Sequence, residues 1–373
     1  MALLIQNISS ATDLKSVDWN NAPHFSNKAD FINYIKNCEN NCVPTAAVVF
    51  SGGLFVDVKE FVKISKHTQF AKVTWWNGTN GKPEKVLYEM TFYPGTKVAY
   101  AYRTGNTSIL SAEEKKLYNV AVQIVKAANQ QPTTLQKELY LHEEITGRVT
   151  YYNKKITTNT PRHCNALGAL LDGRANCQGY ADSFYMLGTM AGFDVGKISG
   201  FANNGKVSAA HVWNTINFGD GRIYGVDVTF DDASFKMEGG EYNSYIYFNA
   251  PEEIMKTTHR WDAAYNAKLF PSLDGRYFYY TQEFQETGGK KFAFHSSTAE
   301  NALGYIAQRI ATEGQRLSWA MAPYDSRYAN LKFSINRLVK EILPKRYRWT
   351  GYVHMNVAHL GKWLFYTVEA NKN

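Results

Sequence analysis

Cysteine is scarce in this chain and poorly spaced for the uses that need it in numbers. The 373 residues hold four, Cys38, Cys42, Cys164 and Cys177, which fit neither a disulfide-dense secreted scaffold nor paired zinc-ligand spacing, so no metal site is expected from them. Cys38 and Cys42 lie one helical turn apart in NCENNC, where a disulfide closes only if the helix ends between them. Long hydrophobic runs are also missing. No run approaches the roughly 18 apolar residues of a membrane span. The first residues, MALLIQNISSATDLKS, carry only a short apolar patch, so no signal-peptide pattern is visible and the compartment stays open. Nor is there a block of one charge. The 41 Lys and Arg against 33 Asp and Glu give a net +8, but they are spread along the chain. They read as solvated surface, with an anionic surface as the partner such a charge would favour. No nucleic-acid motif interleaves aromatic and basic residues, which assigns the 25 Tyr and 21 Phe to the core.

What is present is a folded globular chain, 45% hydrophobic and 20% charged, too long for one ordinary core. Residues 30–40 read as a helix, VPTAAVVFSGG as a buried strand, DVKEFVKISKH as a helix and QFAKVTWW as a strand. VLYEMTFY and TKVAYAYR follow as two further strands joined by the turn signal Pro94-Gly95. Ser111 and Glu114 form a capping box that starts a new helix. The boundaries expected are therefore an N-terminal α/β domain over 1–105, a central domain over 106–285 and a C-terminal α/β domain over 286–373. In the last, KKFAFHS reads as a strand, AENALGYIAQRIATEG as a helix, RLSWAMAPY as a strand and NLKFSINRLVKEIL as a helix that stops before Pro344. Two β-like runs close the chain. Helix, strand, helix, strand, strand is the order at both ends, an expectation of one small architecture used twice, though without evident sequence identity.

The central domain carries the chemistry. In LDGRANCQGYADSFYML, Gly173 supplies a turn and Asn176 an N-cap. Tyr180, Ala181, Phe184, Leu187 and Ala191 then line one helix face before Gly192 ends it. This puts Cys177 in the first turn, where unpaired N–H groups favour thiolate and can donate to an oxyanion. Taken alone, such a cysteine is more often a small buried hydrophobe. A strand, AAHVWNTINF, follows with His211 as candidate base. A second, RIYGVDVTFDD, follows with Asp227 as its orienter, Tyr224, Val226, Val228 and Phe230 facing one way and Gly225, Asp227 and Thr229 the other. Trp213 shares the His211 face and can shield the imidazole. Cys164, in RHCNALG, reads as structural.

The hairpin between these strands sets a testable register. A two-residue Asp220-Gly221 loop puts His211 and Asp227 on opposite faces. A three-residue loop, Gly219-Asp220-Gly221, with Gly221 left-handed, pairs 218 with 222 and 213 with 227 and leaves His211 diagonal to Asp227 on one face. The second register is the one expected. In a Cys, His, Asp set of this kind sulfur attacks, imidazole holds and returns the proton, and carboxylate fixes the tautomer and stabilises imidazolium.

These residues resemble the transglutaminase-like superfamily, above all its bacterial members, in NCQGYADSFYMLGTMAGFDVGKISG, AHVWN and YGVDVTFDD. LHEEITGRVTYY resembles the family's helix leading to a Tyr, here Tyr151, and YNSYIYFNAPEEIMKTTHRW resembles the tail of the same domain, so the resemblance covers roughly 111–285. It implies an α+β fold: a papain-like transglutaminase core, with the Cys helix packed on an antiparallel sheet, flanked by two small α/β units. It also implies triad roles for Cys177, His211 and Asp227 and no metal or organic cofactor. The activity implied is acyl transfer on a protein or peptide amide through a Cys thioester, ending in hydrolysis or transamidation. Trp213 and Tyr151 are the candidate substrate or oxyanion neighbours. The family's habits place the protein outside the cell or on its surface. The competing reading is a catalytically silent module that holds peptides or serves as a surface scaffold. A sulfur out of reach of the imidazole, or a cleft filled by a flanking domain, would favour it.

Overall fold

Two four-stranded sheets of the same topology stand on either side of a third. The computed structural model describes residues 17–154, 161–203, 208–232, 235–237, 240–281, 293–314 and 316–372. The apolar patch at the N-terminus lies outside the described residues. The first unit runs β1 (His24–Phe25), α1 (Lys28–Asn40), β2 (Thr45–Phe50), α2 (Val58–Ile64), β3 (Thr68–Asn77) and β4 (Pro83–Phe92). Its sheet order is β1-β2-β4-β3, with β1 and β2 parallel and the other pairs antiparallel. Asn27 and Asp57 cap the two helices through their side chains. Phe31, Ile35 and Cys38 recur at helical spacing and bury against Val48, Phe50 and Tyr88. Helix α1 ends between Cys38 and Cys42, yet all four cysteines are free thiols.

The segment after β4 corrects the sequence reading. TKVAYAYR is helical, within α3 (Pro94–Thr104). Its alternation of small and large residues suits a strand, but Pro94 sits in the first turn, where a missing N–H is harmless, and Gly105 at φ +74° closes the helix. A buried acid decides the matter: Asp182 Oδ2 accepts from Gly95 N at 3.0 Å. A Cβ on Gly95 would lie 2.7 Å from the Asp182 carboxylate, so only glycine allows this approach. Val98, Ala99 and Ala101 then pack in the central core rather than with the first sheet.

The central unit continues with α4 (Ala112–Ala128), α5 (Thr134–Thr146), β5 (Thr150–Tyr151), α6 (Ala166–Leu170), β6 (Arg174–Ala175) and α7 (Cys177–Met190). The strands β7 (Asp194–Asn203), β8 (Ser208–Asn217) and β9 (Ile223–Val226) come next, then α8 (Val228–Asp231), the hairpin β10 (Phe235–Met237) and β11 (Gly240–Tyr242), α9 (Glu252–Thr258) and β12 (His259–Trp261). The capping box at Ser111 and Glu114 is formed. The antiparallel sheet β12-β7-β8-β9 takes α7 on one face, with Tyr180, Phe184 and Leu187 in the cluster that holds Ile216, Tyr224 and Val226. This is an α+β core with the cysteine helix laid on an antiparallel sheet. Asp182 binds its parts together. Besides Gly95 it accepts from Ala166 N at 3.0 Å and pairs with Lys197 Nζ of β7 at 2.8 Å. The ammonium in turn lies over the rings of Tyr93 and Tyr185 at 4.5 and 5.0 Å.

The last unit holds β13 (Ala293–His295), α10 (Ala299–Thr312), β14 (Leu317–Pro323), α11 (Ser326–Ala329), α12 (Leu331–Asn336), α13 (Leu343–Tyr347), β15 (Gly351–Leu360) and β16 (Trp363–Lys372). The helix expected to stop before Pro344 does not. A π-helical stretch over Arg337–Ile342 carries α12 into α13, where Pro344 occupies the first turn. The sheet order β13-β14-β16-β15, with its first pair parallel and the rest antiparallel, repeats that of the first unit strand for strand. Trp319 of β14 joins this unit to the centre, donating Nε1–H to Asn243 O at 3.2 Å and meeting the Tyr245 ring edge-on at 5.3 Å.

Removing a member of a buried ion pair strands the other charge, at a cost of about 3–5 kcal/mol. Asp182→Ala is expected to lower stability by at least that amount in urea unfolding. An unchanged midpoint would contradict the role given to this carboxylate.

Candidate active site

Asn176 prepares the end of α7. Its backbone N–H donates to His163 O at 2.9 Å, and its side chain accepts from Gln178 N at 3.0 Å. Gly179 N and Tyr180 N both donate to Asn176 O. These bonds commit the N–H groups just inside the helix and leave that of Cys177 itself as the first-turn donor facing outward. The Cys177 side chain is half-buried.

His211 arrives on β8. The β8–β9 hairpin pairs Asn214 with Val226 and Asn217 with Ile223, the register expected from a three-residue loop. Gly221 takes the left-handed φ, +76°, expected at the end of such a loop, and Gly219 is left-handed as well, at +80°. Asp227 departs from the expectation. The strand stops at Val226, and Asp227 is the N-cap of α8, with Oδ1 accepting from Thr229 N at 3.0 Å and Phe230 N at 3.1 Å. Alternating faces therefore do not continue through 227–230. The carboxylate offers the backbone a local partner that replaces the ladder.

His211 Nε2 lies 2.6 Å from Asp227 Oδ2, and His211 and the Val212 backbone are the neighbours that draw the Cys177 thiol downward. The structure thus brings His211 and Asp227 into contact, with Cys177 near enough to be influenced by both. With Nε2 on the carboxylate, Nδ1 is left for sulfur. Burial opposes charge on all three groups. Even so, the thiol of Cys177 is held below its ordinary range by the neighbouring His211. His211 is lifted to about 10 by Asp227 and Cys177. Asp227 is held well below the usual carboxylate range by His211 and His259. These directions favour a thiolate–imidazolium ion pair over the two neutral groups.

His259, at the start of β12, was not assigned a role from sequence. Its Nε2 lies 2.9 Å from the same Asp227 oxygen. KTTHRW shows only a lone histidine after a short helix, and nothing in its spacing links it to a site thirty-two residues earlier. By residue type His211, Asp227 and His259 could ligate a cation. At 2.6 and 2.9 Å the nitrogen–oxygen separations are hydrogen-bond lengths, and the three groups are bonded to one another through Asp227.

Of the two neighbours expected to touch substrate, Trp213 is only 1% exposed and stacks on His211 with ring centroids 5.9 Å apart. It shields the imidazole and lines neither cleft at the site. Tyr151 is exposed. Parallel pairing of β5 with β6 sets it beside Ala175, two residues before Cys177, and burial together with Cys177 and Asp227 pushes its hydroxyl up to about 12. Two open clefts meet at His211. The larger, about 810 Å³, includes Tyr151, Phe230 and Tyr247 and is walled by Ala358–Gly361 of the β15–β16 turn. The smaller, about 450 Å³, includes Phe201, Trp261 and Tyr265 and is walled by Val62 and Lys63 of α2.

Residues 119–228, which span Cys177, His211 and Asp227, match the Transglutaminase-like superfamily. No curated protein sequence matches the chain. Among solved structures the chain is similar to a TGase, at TM-score 0.30 and 13% identity over 58% of this chain and 61% of that one. It is also similar to a candidate cysteine protease from Cytophaga hutchinsonii, at TM-score 0.25 and 14% identity over 59% and 81%. A third is the periplasmic domain of TgpA from Pseudomonas aeruginosa, at TM-score 0.25 and 12% identity over 44% and 69%. The chain spans about three fifths of the length of the TGase.

The other three thiols are pushed up by burial, Cys42 to about 12, while Cys177 is lowered. As pH rises Cys177 therefore loses its proton first, while His211 keeps its own until about 10. Iodoacetamide at pH 7 is expected to modify Cys177 about ten-fold or more faster than Cys38, Cys42 or Cys164, read by peptide mass spectrometry. His211→Ala should remove the difference. Equal rates in the unaltered protein would contradict the ion pair.

Proposed function

We propose that the protein performs thiol-dependent acyl transfer on protein or peptide amides, through a thioester at Cys177. The observation that carries this reading is the His211–Asp227 hydrogen bond beside Cys177, with His211 lining two open clefts. The Cys177 thiolate attacks the amide carbonyl carbon, and the oxyanion that develops receives the Cys177 N–H. His211 Nδ1–H delivers its proton to the departing amine as the C–N bond breaks, leaving a thioester and a neutral imidazole. Water or a second amine then gives a proton to His211 and attacks, and the thiolate leaves. Asp227 keeps Nε2–H in place throughout and stabilises the imidazolium of each step.

The larger cleft is open and has aromatic, hydroxyl and aliphatic walls. Both flanking units contribute walls, so the substrate is proposed to be an extended segment rather than a small molecule. The lowering of the Cys177 thiol by His211 and the open clefts at His211 favour this reading over a silent binding module. Tyr151 is the candidate second oxyanion donor, because its hydroxyl stays protonated beside the sulfur.

A labelled-amine incorporation assay run beside peptide hydrolysis, with unaltered protein and Cys177→Ala, tests the reaction class. Either activity, lost in Cys177→Ala, is the expected outcome, and activity that survives the substitution would overturn it. Tyr151→Phe is expected to lower kcat about a hundred-fold with little change in KM. An unchanged kcat would remove Tyr151 from the oxyanion site.

A further inference from the structure

Asp227 receives more hydrogen bonds than a triad requires. Oδ1 takes the N–H groups of Thr229 and Phe230, which already fix how the carboxylate is turned. Oδ2 takes His211, and it takes His259 as well. The second histidine is fully buried among rings, with Trp213 at 4.7 Å, Phe230 at 5.0 Å, Tyr247 at 5.2 Å and His211 at 5.6 Å between centroids. No substrate reaches it. Its other nitrogen, Nδ1, lies 2.8 Å from Thr258 Oγ1, and that hydroxyl lies 3.0 Å from the Tyr247 hydroxyl.

The proton positions along this line follow from valence. An ionised Asp227 can only accept, so His259 Nε2 carries hydrogen. Burial is the largest influence on His259 and, with the charge of His211, keeps it neutral against the pull of Asp227 and the Met255 carbonyl. A neutral ring with hydrogen on Nε2 has a bare Nδ1, which accepts from Thr258. Thr258 in turn accepts from Tyr247. Every hydrogen bond from Tyr247 inwards therefore points at Asp227. The charged and titratable groups facing His259 are Asp227 at the start of α8, His211 on β8 and Tyr247 before α9. From β12 itself Arg260 donates to the backbone carbonyls of His259 and Lys256, and on α9 Lys256 is engaged with Glu252.

We propose that His259 is a positioning residue which, as the fourth N–H donor on Asp227, limits how tightly the carboxylate holds the imidazolium of His211. The inference rests on the Cys177, His211 and Asp227 reading given above. Its chemical sense is that the same proton must be held during thiolate formation and released to the leaving amine. A carboxylate whose charge is divided among four donors supports the first without blocking the second. Removing one donor leaves more of that charge to His211. The imidazolium becomes more stable, and the thiolate paired with it forms at lower pH.

The test is the pH dependence of iodoacetamide alkylation at Cys177 from pH 4 to 10, followed by peptide mass spectrometry, with thermal melts to establish that each variant is folded. His259→Leu keeps bulk and removes the donor; His259→Gln places an amide N–H at a similar reach. The acid limb is expected to move down by about half to one pH unit in His259→Leu and to return towards its original position in His259→Gln. A limb that stays, or moves up, or moves alike in both variants overturns the proposal. If His259→Leu does not fold, His259→Phe carries the test, with Thr258→Val as its control. Thr258→Val leaves His259 Nε2–H on Asp227 and is expected to leave the limb in place, while His259→Phe, which keeps a ring without any N–H, is expected to move it down as His259→Leu does; a His259→Phe limb that stays overturns the proposal. The two readings fail differently: an unaltered Cys177 that reacts no earlier in pH than Cys38 defeats the triad itself.

Discussion

The carboxylate of Asp227 is the point on which the site hangs. One oxygen stops a strand and starts a helix by capping Thr229 and Phe230, and the other meets two imidazoles. Its own N–H is tied to Tyr247 O at 3.1 Å. Such a group is costly to bury and is stable only because every lone pair is used. Those N–H groups come from β8, the α8 turn and β12. The carboxylate therefore records whether the whole antiparallel sheet has assembled in register. A slip of one residue in the β8–β9 hairpin would turn His211 away from it.

A second buried acid does the corresponding work on the other face of α7. Asp182 holds the starts of α3 and α6 and the Lys197 ammonium, so the helix that presents Cys177 is fixed at its middle to the chain that leads into it. The flanking units are attached to this frame rather than inserted in it. They share one strand order, and each supplies one wall beside His211: α2 on one side, the β15–β16 turn on the other. Repetition of one architecture on both sides of a catalytic-type core is a simple way to build a long cleft from short elements.

Much of this was legible in the sequence because the signals were local. The N-cap at Asn176, the glycines of the β8–β9 loop and the capping box at Ser111 are decided by a few neighbouring residues, and the hairpin register followed by arithmetic. What escaped depends on partners far away in sequence. TKVAYAYR alternates like a strand, and only the Asp182 carboxylate waiting for Gly95 N–H makes its first turn helical. Asp227 looked like a strand residue because its role as a cap needs the break in the ladder to be known first. His259 lies thirty-two residues beyond its carboxylate, and Trp213 revealed its burial only once β12 had covered it.

The central claim is that Cys177 and His211 rest as thiolate and imidazolium, held so by Asp227. Selective nitrogen-15 labelling of histidine followed by NMR from pH 5 to 10 reads the ring of His211 directly. The account predicts two protonated ring nitrogens well above pH 7, with titration near 10 in the unaltered protein and at lower pH in Cys177→Ala. A His211 ring already neutral at pH 7, or one indifferent to loss of the sulfur, would contradict it.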